Sequence, residues 1–279
     1  MNHYMSSNNN TLTKDVSYGD VHCFLTSHSV YGLDENGYVK YINNDASSRP
    51  FTDLFVTPDG IFGISNSLYH TSNGINWVFR SSGLSNTSKL FYINGTYYIV
   101  SGAVIRKGTY DDIMNNTHKS MAGVSHNYSY SDGKNIVFYN DTTAYIYDFK
   151  TDSCVTVLRN ASSIKSVAHT NKKYFIFDTG VVHVFNNDFN YIKTVTCPIT
   201  LTNVISFDNN IFGKNNNNYY SFNENGDCLL IGSAPSNSEL RCYEDGIYFV
   251  SNGCKIKCEL INQGIVLPKL EKYTYIKAL

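Results

Sequence analysis

At 279 residues, with 22 Lys and Arg against 23 Asp and Glu, a formal net charge of −1 and only 16% charged residues, the chain has no electrostatic footprint for nucleic acid or an anionic membrane surface. Apolar residues at 42%, with 23 Tyr and 16 Phe, suit half-buried strands around a core large enough for one β domain. Seven cysteines, an odd number spread from Cys23 to Cys258, exclude the dense disulfide framework of a small secreted module and are expected as free thiols in a reducing compartment.

No apolar run approaches the ~18 residues of a bilayer-spanning helix. The opening MNHYMSSNNNTLTKD lacks a basic stretch followed by an apolar one, so neither a membrane span nor a secretory signal is expected. Residues 1–20 read as a polar, Asn-rich arm, and either Leu12 to Tyr18 within it or Tyr273 to Ile276 at the other end could supply a closing strand. Units of four short strands follow. The first reads HCFLTSH, SVYGLDENG, YVKYINND. In it Asp34 to Gly37 has the form of the start of a calcium loop, but the acidic residues that should follow are missing and a hairpin turn is the simpler reading.

The second unit, Asp53 to Arg80, is the clearest. Leu54 to Thr57 runs into a Pro58-Asp59-Gly60 turn, Ile61 to Ser65 returns, and Leu68 to Thr71 goes out again. Ser72-Asn73-Gly74 then turns into a last strand carrying Trp77 and Phe79. Each break is a cluster of residues that tolerate the positive φ of tight hairpins. The third unit begins at Lys89 and holds a loop from Asp111 to Lys119 with room for one helical turn; the fourth and fifth give four alternating strands each, and the sixth and seventh carry the pattern to IVLPKL. In the seventh, Cys254 and Cys258 share one strand face. Without a second Cys/His pair of ligand spacing they read as buried small hydrophobes more readily than as a metal or disulfide pair.

Aligned on the turn between first and second strands, the units are anchored at His28, Asp59, Asn94, Asp132, Asn171, Asn209 and Asp245, at spacings of 31 to 39 residues. This is close to the period of one propeller blade. Closing such blades into a ring removes the edges that stacked hairpins would expose. The expected fold is all-β: a single β-propeller of about seven four-stranded antiparallel blades over residues 21–279, first strands innermost.

Thr71-Ser72-Asn73-Gly74-Ile75-Asn76-Trp77 resembles the Ser/Thr-x-Asp/Asn-Gly-x-x-Trp turn of Asp-box (BNR-type) propeller repeats. The resemblance implies that Thr71, Ser72, Asn73 and Gly74 shape the hairpin between third and fourth strands while Trp77 packs against a neighbouring blade. Only this unit carries the motif in full. Low-charge, Asn- and Tyr-rich chains of such units are also similar in style to propeller domains of bacteriophage tails and baseplates. Sialidases share the Asp-box propeller, and their chemistry needs three arginines, a tyrosine nucleophile with a glutamate base, and an aspartate acid/base. Of Arg49, Arg80, Arg106, Arg159 and Arg241, none stands in the Arg-Ile-Pro motif that opens that site.

No phosphate loop, Gly-x-Ser-x-Gly elbow, His-Glu-x-x-His or Cys-x-x-Cys pair is present, so no catalytic residue, cofactor or metal is assigned. The expected function is a non-enzymatic interaction module that binds other protein subunits, as a structural component of a phage-like virion, located in the virion or in the cytoplasm before assembly. The alternatives are a propeller that binds a surface glycan or receptor, and a sialidase-like glycoside hydrolase. Six residues before each turn anchor stand His22, Asp53, Ser88, His126, Lys165, Asn203 and Glu239, all polar. They are expected as a hydrated collar at one mouth of the channel; polar strand starts are the plainer reading, and an ion or small polar ligand on His22, Asp53, His126 and Glu239 the sharper one.

Overall fold

Short alternating segments between Gly-, Asn- and Asp-rich turns fold as antiparallel hairpins, and the computed structural model is built almost wholly from them. It describes residues 12–26, 30–33, 39–43, 51–74, 76–85, 87–233, 238–243, 246–251, 254–261 and 264–266. The first sheet runs in chain order through β1 (Leu12–Tyr18), β2 (Val21–Thr26), β3 (Val30–Leu33) and β4 (Val39–Asn43), the second through β5 (Asp53–Thr57), β6 (Gly60–Ile64), β7 (Ser67–Thr71) and β8 (Val78–Ser82). The third holds β9 (Lys89–Ile93), β10 (Thr96–Ser101), β11 (Val104–Gly108) and β12 (Lys119–Ala122), with the helix α1 (Tyr110–Met114) before its last strand. The fourth holds β13 (Tyr128–Ser131), β14 (Ile136–Tyr139), β15 (Ala144–Asp148) and β16 (Ser153–Leu158); the fifth, β17 (Ser166–His169), β18 (Lys173–Asp178), β19 (Val181–Asn186) and β20 (Tyr191–Thr196). The sixth holds β21 (Thr202–Phe207), β22 (Asn210–Asn215), β23 (Asn218–Phe222) and β24 (Cys228–Ser233). The seventh holds β25 (Ser238–Tyr243), β26 (Gly246–Ser251) and β27 (Cys254–Lys257), and a separate hairpin joins β28 (Glu259–Ile261) to β29 (Gly264–Val266).

The chain divides into two compact units, one containing the first three sheets with Tyr147–Cys154, the other Val137–Ile146 and the sheets from the fifth onward. Within the first, β1 lies against β5 and β5 against β9; within the second, β17 lies against β21 and β21 against β25. Consecutive sheets therefore meet through their first strands. Their faces enclose apolar cores. Cys23, Leu25 and Val30 pack with Leu54 and Ile61, and Phe62, Ile64 and Leu68 pack with Leu90, Tyr97, Ile99 and Ile113 of α1. In the second unit Phe175, Phe177, Val182 and Val184 pack with Leu201, Ile211 and Phe222, and Phe212 and Tyr219 with Leu240, Ile247 and Phe249.

Burial follows strand position. The second strands β6 and β14 are buried along their whole length, whereas the fourth strands β8 and β20 are mostly open. The expected helical turn is α1, whose N-cap Thr109 exchanges hydrogen bonds with Asp112 in a capping box.

The turn anchors Asp59, Asn94, Asp132, Asn171 and Asn209 fall between first and second strands, and Asn94 and Asn209 take φ of 49° and 63°. His28 and Asp245, the Asp34 to Gly37 turn, and Tyr273 to Ile276 lie outside the described residues. In the first sheet β1 precedes β2, so its first turn is Gly19-Asp20, with Gly19 at φ 55°. Measured from Asp20, the distance to Asp59 becomes 39 residues, and the short first spacing disappears. The seventh unit also departs from the sequence pattern. The segment CKIKCELINQG breaks at Cys258, whose amide binds Ile247 O at 2.9 Å, and β29 pairs with β28 instead of completing the sheet.

Candidate functional site

The first strands of the first unit bring charged side chains together. Asp53 opens β5, and because β1 and β9 flank that strand, Lys14 and Lys89 reach its carboxylate from either side. Lys14 Nζ lies 2.5 Å from Oδ1, which also accepts the Leu54 amide at 2.9 Å, while Lys89 takes Oδ2. Both ammonium groups also lie over the Phe55 ring, at 4.4 and 5.8 Å. Asp53 is buried while the lysines are partly exposed. Burial pushes the carboxyl upward, but the charges of Lys14 and Lys89 outweigh it and hold Asp53 below the usual carboxylate range. Three formal charges converge here with one positive in excess.

Lys14, Asp53 and Lys89 each stand five residues before the first residue of their turn, as the pairings Tyr18 with Val21, Thr57 with Gly60 and Ile93 with Thr96 show. The structure thus joins Asp53 to Lys14 and Lys89, not to His22 and Ser88. His22 lies on β2, with Nδ1 2.7 Å from Ser17 Oγ, and buried Ser88 accepts the Ser85 amide at 3.0 Å. His126 precedes β13, its Nδ1 2.8 Å from Val124 O. In the second unit Lys165 donates to Ser163 Oγ at 2.7 Å, Asn203 sits in a β21 irregularity at φ 47°, and Glu239 accepts from Arg241 Nη2 at 3.1 Å. The same unit links first strands with neutral groups: Ser166 Oγ of β17 accepts the Val204 amide of β21 at 3.3 Å. Among the described residues no group of three or more His, Cys, Asp or Glu is placed to hold a metal ion.

Thr71 ends β7, and Ser72, Asn73, Gly74, Asn76 and Trp77 stand between it and β8, with Ile75 outside the described residues. Thr71 Oγ1 donates to Asn73 Oδ1 at 3.1 Å, that oxygen accepts the Asn76 amide at 3.0 Å, and Gly74 takes φ 71°. Ser72 is exposed. Trp77 stacks at a tilt on Phe51, centroids 4.8 Å apart, and packs on a core that includes Cys23, Leu25 and Val30 of the first sheet.

A polar and aromatic cluster that the sequence did not announce lies beside the β5–β6 turn. Tyr97 donates to Asp59 Oδ2 and lies 2.9 Å from Thr57 Oγ1; His70 Nε2 is 2.9 Å from Asp59 O; Tyr110 edges onto His70 and lies near Tyr97. Burial first, then the bond to Asp59, pushes the Tyr97 phenol well above its ordinary value, and burial pulls His70 down. At neutral pH this phenol is a donor fixed in a network, far from the ionised state of a nucleophile. Of the arginines, Arg106 is tied to Ser81 Oγ, Ser82 O and Gly83 O, and Arg159 lies near Thr156; Arg49 lies outside the described residues.

No family model and no curated protein matches the chain. Among solved structures, the WD40 domain of Neurospora crassa Pan2 superposes with a TM-score of 0.65 at 10% identity, over 88% of this chain and 87% of that one. The fold is a β-propeller. BBS1N, solved in complex with ARL6DN, is similar over 96% of this chain and 94% of its own, with a TM-score of 0.63 and 11% identity. A catalytically inactive virginiamycin B lyase from Staphylococcus aureus, solved with quinupristin, matches over 90% and 95% with a TM-score of 0.64 and 9% identity. At such identities the propeller likeness carries the fold alone.

Proposed function

We propose that this propeller is a non-enzymatic interaction module whose partner is protein. The observation that carries the reading is the chemistry of the fourth strands. Consecutive strand residues point to opposite faces, yet Val78 and Phe79 on β8, Tyr191 and Ile192 on β20, and Leu229 and Leu230 on β24 are exposed as pairs, with Leu229 at 66%. Apolar side chains on both faces of an outer strand are a liability in isolation and a contact surface in an assembly. The charged layer at Asp53 supports the same reading, since both carboxylate oxygens are engaged by the protein's own lysines. Of the seven residues of the polar collar, Asp53 alone is assigned to this charged layer, and no ion is assigned to it. The BBS1N structure offers one instance of this fold bound to another protein.

The finer reading, a structural subunit of a phage-like tail or baseplate, rests on the low charge and the Asn- and Tyr-rich repeats. A glycan- or receptor-binding propeller is the alternative, favoured only by the exposed tyrosines Tyr128 and Tyr191. Cross-linking and cryo-EM of the native assembly test the proposal. Leu229→Ser with Leu230→Ser should leave the melting temperature nearly unchanged and abolish incorporation. A chain that remains a free monomer in its native setting and turns over a glycoside overturns it.

A further inference from the structure

The second unit holds a pair of thiols placed as a unit. Cys197 follows β20 and Cys228 opens β24, 31 residues later, and their sulfurs lie 3.3 Å apart. Cys197 is fixed from two sides, its amide donating to Gly180 O at 2.9 Å and its sulfur lying 2.9 Å from Ile199 O. What brings Cys228 to it is a glycine. Gly226, at φ 96°, lies so close to the end of β20 that an added Cβ would stand 2.3 Å from Thr196 O. Any side chain there would push the β23–β24 turn, and Cys228 with it, away from Cys197. Around the pair Phe177, Val182, Leu201 and Phe222 are buried, with Val195 and Ile199 beside them; Cys228 alone of the two is partly open to solvent.

We propose that Cys197 and Cys228 are a reversible dithiol–disulfide site, oxidised by a low-molecular-weight disulfide such as glutathione disulfide. The dithiol loses one proton to solvent, and with the remaining proton on Cys197 the accessible Cys228 attacks the glutathione disulfide as thiolate; an S–S bond forms to one glutathione and the other leaves as thiolate and is protonated. Cys197 then loses its proton to solvent and attacks Cys228 Sγ as thiolate, and the second glutathione departs as thiolate and is protonated. Two protein thiols lose two electrons, and one glutathione disulfide becomes two glutathione thiols. Closing the sulfur gap to the ~2.05 Å of a disulfide needs an approach of about 1.3 Å. The hydrogen bond between the two thiols lowers Cys197 and raises Cys228, so the singly deprotonated pair shares its remaining proton between the two sulfurs. Oxidation would fix the strand that carries Leu229 and Leu230, so the redox state acts on the surface proposed for partner contact. The site itself stands apart from that proposal.

The test is equilibration of the full chain with defined ratios of glutathione to glutathione disulfide, followed by alkylation and peptide mapping. Cys197 and Cys228 should lose alkylation together and appear as one linked peptide, 2 Da lighter than the reduced pair, restored by dithiothreitol. The thermal midpoint should rise by roughly 5–10 °C on oxidation. Cys228→Ser should abolish both effects, and Cys197→Ser should leave Cys228 as a stable mixed disulfide with glutathione. The proposal is overturned if both thiols in the wild-type chain remain alkylatable in excess glutathione disulfide, or if the linked peptide joins other cysteines. The wild-type measurement decides even where a variant does not fold.

Discussion

Asp53 in the first unit and Asp178 in the second are both buried, at 7% and 4% exposure, and both are held ionised by different means. Burial raises each carboxyl. At Asp53 the opposing force is Lys14 and Lys89, side chains from strands on either side; at Asp178 it is the backbone amides of Ser163, Ser162 and Thr179, at 2.5, 2.9 and 2.6 Å. The first arrangement joins three sheets through long, entropically costly side chains that reach water. The second fastens the connection before β17 to the end of β18 through amides already placed by the backbone. Consecutive sheets are thus linked by ionic contacts in one unit, while a fixed turn carries the buried charge in the other.

The largest expected effect is at Asp53. Asp53→Ala leaves two ammonium groups facing each other and should cost ~2–3 kcal/mol in urea unfolding, below the ~3–5 kcal/mol of a fully buried pair because the lysine side chains are 35% and 40% exposed. A loss under ~1 kcal/mol would mean the layer does not hold the sheets. Asp178→Asn comes next, at ~2 kcal/mol, since the new NH₂ faces amide donors and one of three bonds to a charged acceptor is replaced by a donor–donor contact. If Asp178→Asn matches wild type, the connection is held by its other contacts, such as Thr179 Oγ1 to Ser163 O at 3.5 Å.

Asp53 was legible as a polar residue at a first-strand start, and the turns were legible because Asn, Asp and Gly mark positive φ. Its partners were not. Leu12–Tyr18, LTKDVSY, alternates too weakly to declare itself the first strand of a sheet, so the first anchor was set one hairpin late, at His28 instead of Asp20. In the third unit Lys89, not the adjacent Ser88, makes the contact, and one residue along a strand means the opposite face. The cluster of Asp59, His70, Tyr97 and Tyr110 and the Cys197–Cys228 pair have no spacing signal, because consecutive sheets bring together residues some tens of positions apart. The thiol expectation singled out Cys254 and Cys258 and gave no sign of Cys197 with Cys228. Cys258, buried among Phe249 and Ile247, has its thiol pushed up to about 11 by burial, while Cys254 has no described side chain.

Salt sharpens the comparison at a smaller scale. The lysine pairs are partly exposed and should lose ~1 kcal/mol between 0.05 and 1 M NaCl, whereas the amide bonds to Asp178 should be insensitive. Measured as a cycle, the difference between wild type and Asp53→Asn should shrink with salt, and that between wild type and Asp178→Asn should change less, its backbone amide bonds being fixed and His183 its lesser contact. Equal salt responses would show that the two carboxylates are stabilised alike after all.

The smallest effect expected is in the acid limb of stability. Both carboxyls have folded pKa values below the ~4 of an unfolded aspartate, so each contributes stability that is fully present above about pH 4 and is lost as pH falls through the folded value. The unfolded chain binds the proton first, so stability rises with pH in that window. Removing either group should flatten the slope below pH 4 by a fraction of the ~1.36 kcal/mol per pH unit that a single proton allows. The two should differ in how salt acts on them. In 1 M NaCl the lysines hold Asp53 down less strongly, its pKa moves back toward the unfolded value, and the wild-type slope should approach that of Asp53→Asn. The Asp178 share rests first on fixed backbone amides, with His183 Nε2 3.6 Å from Oδ2 as a lesser contribution, so salt should weaken it less and Asp178→Asn should remain flatter than wild type in 1 M NaCl. Urea midpoints from pH 2 to 5 at two ionic strengths separate the two cases. A wild-type acid limb indifferent to salt would place the controlling carboxylate at Asp178 and reduce the Asp53 layer to a packing contact.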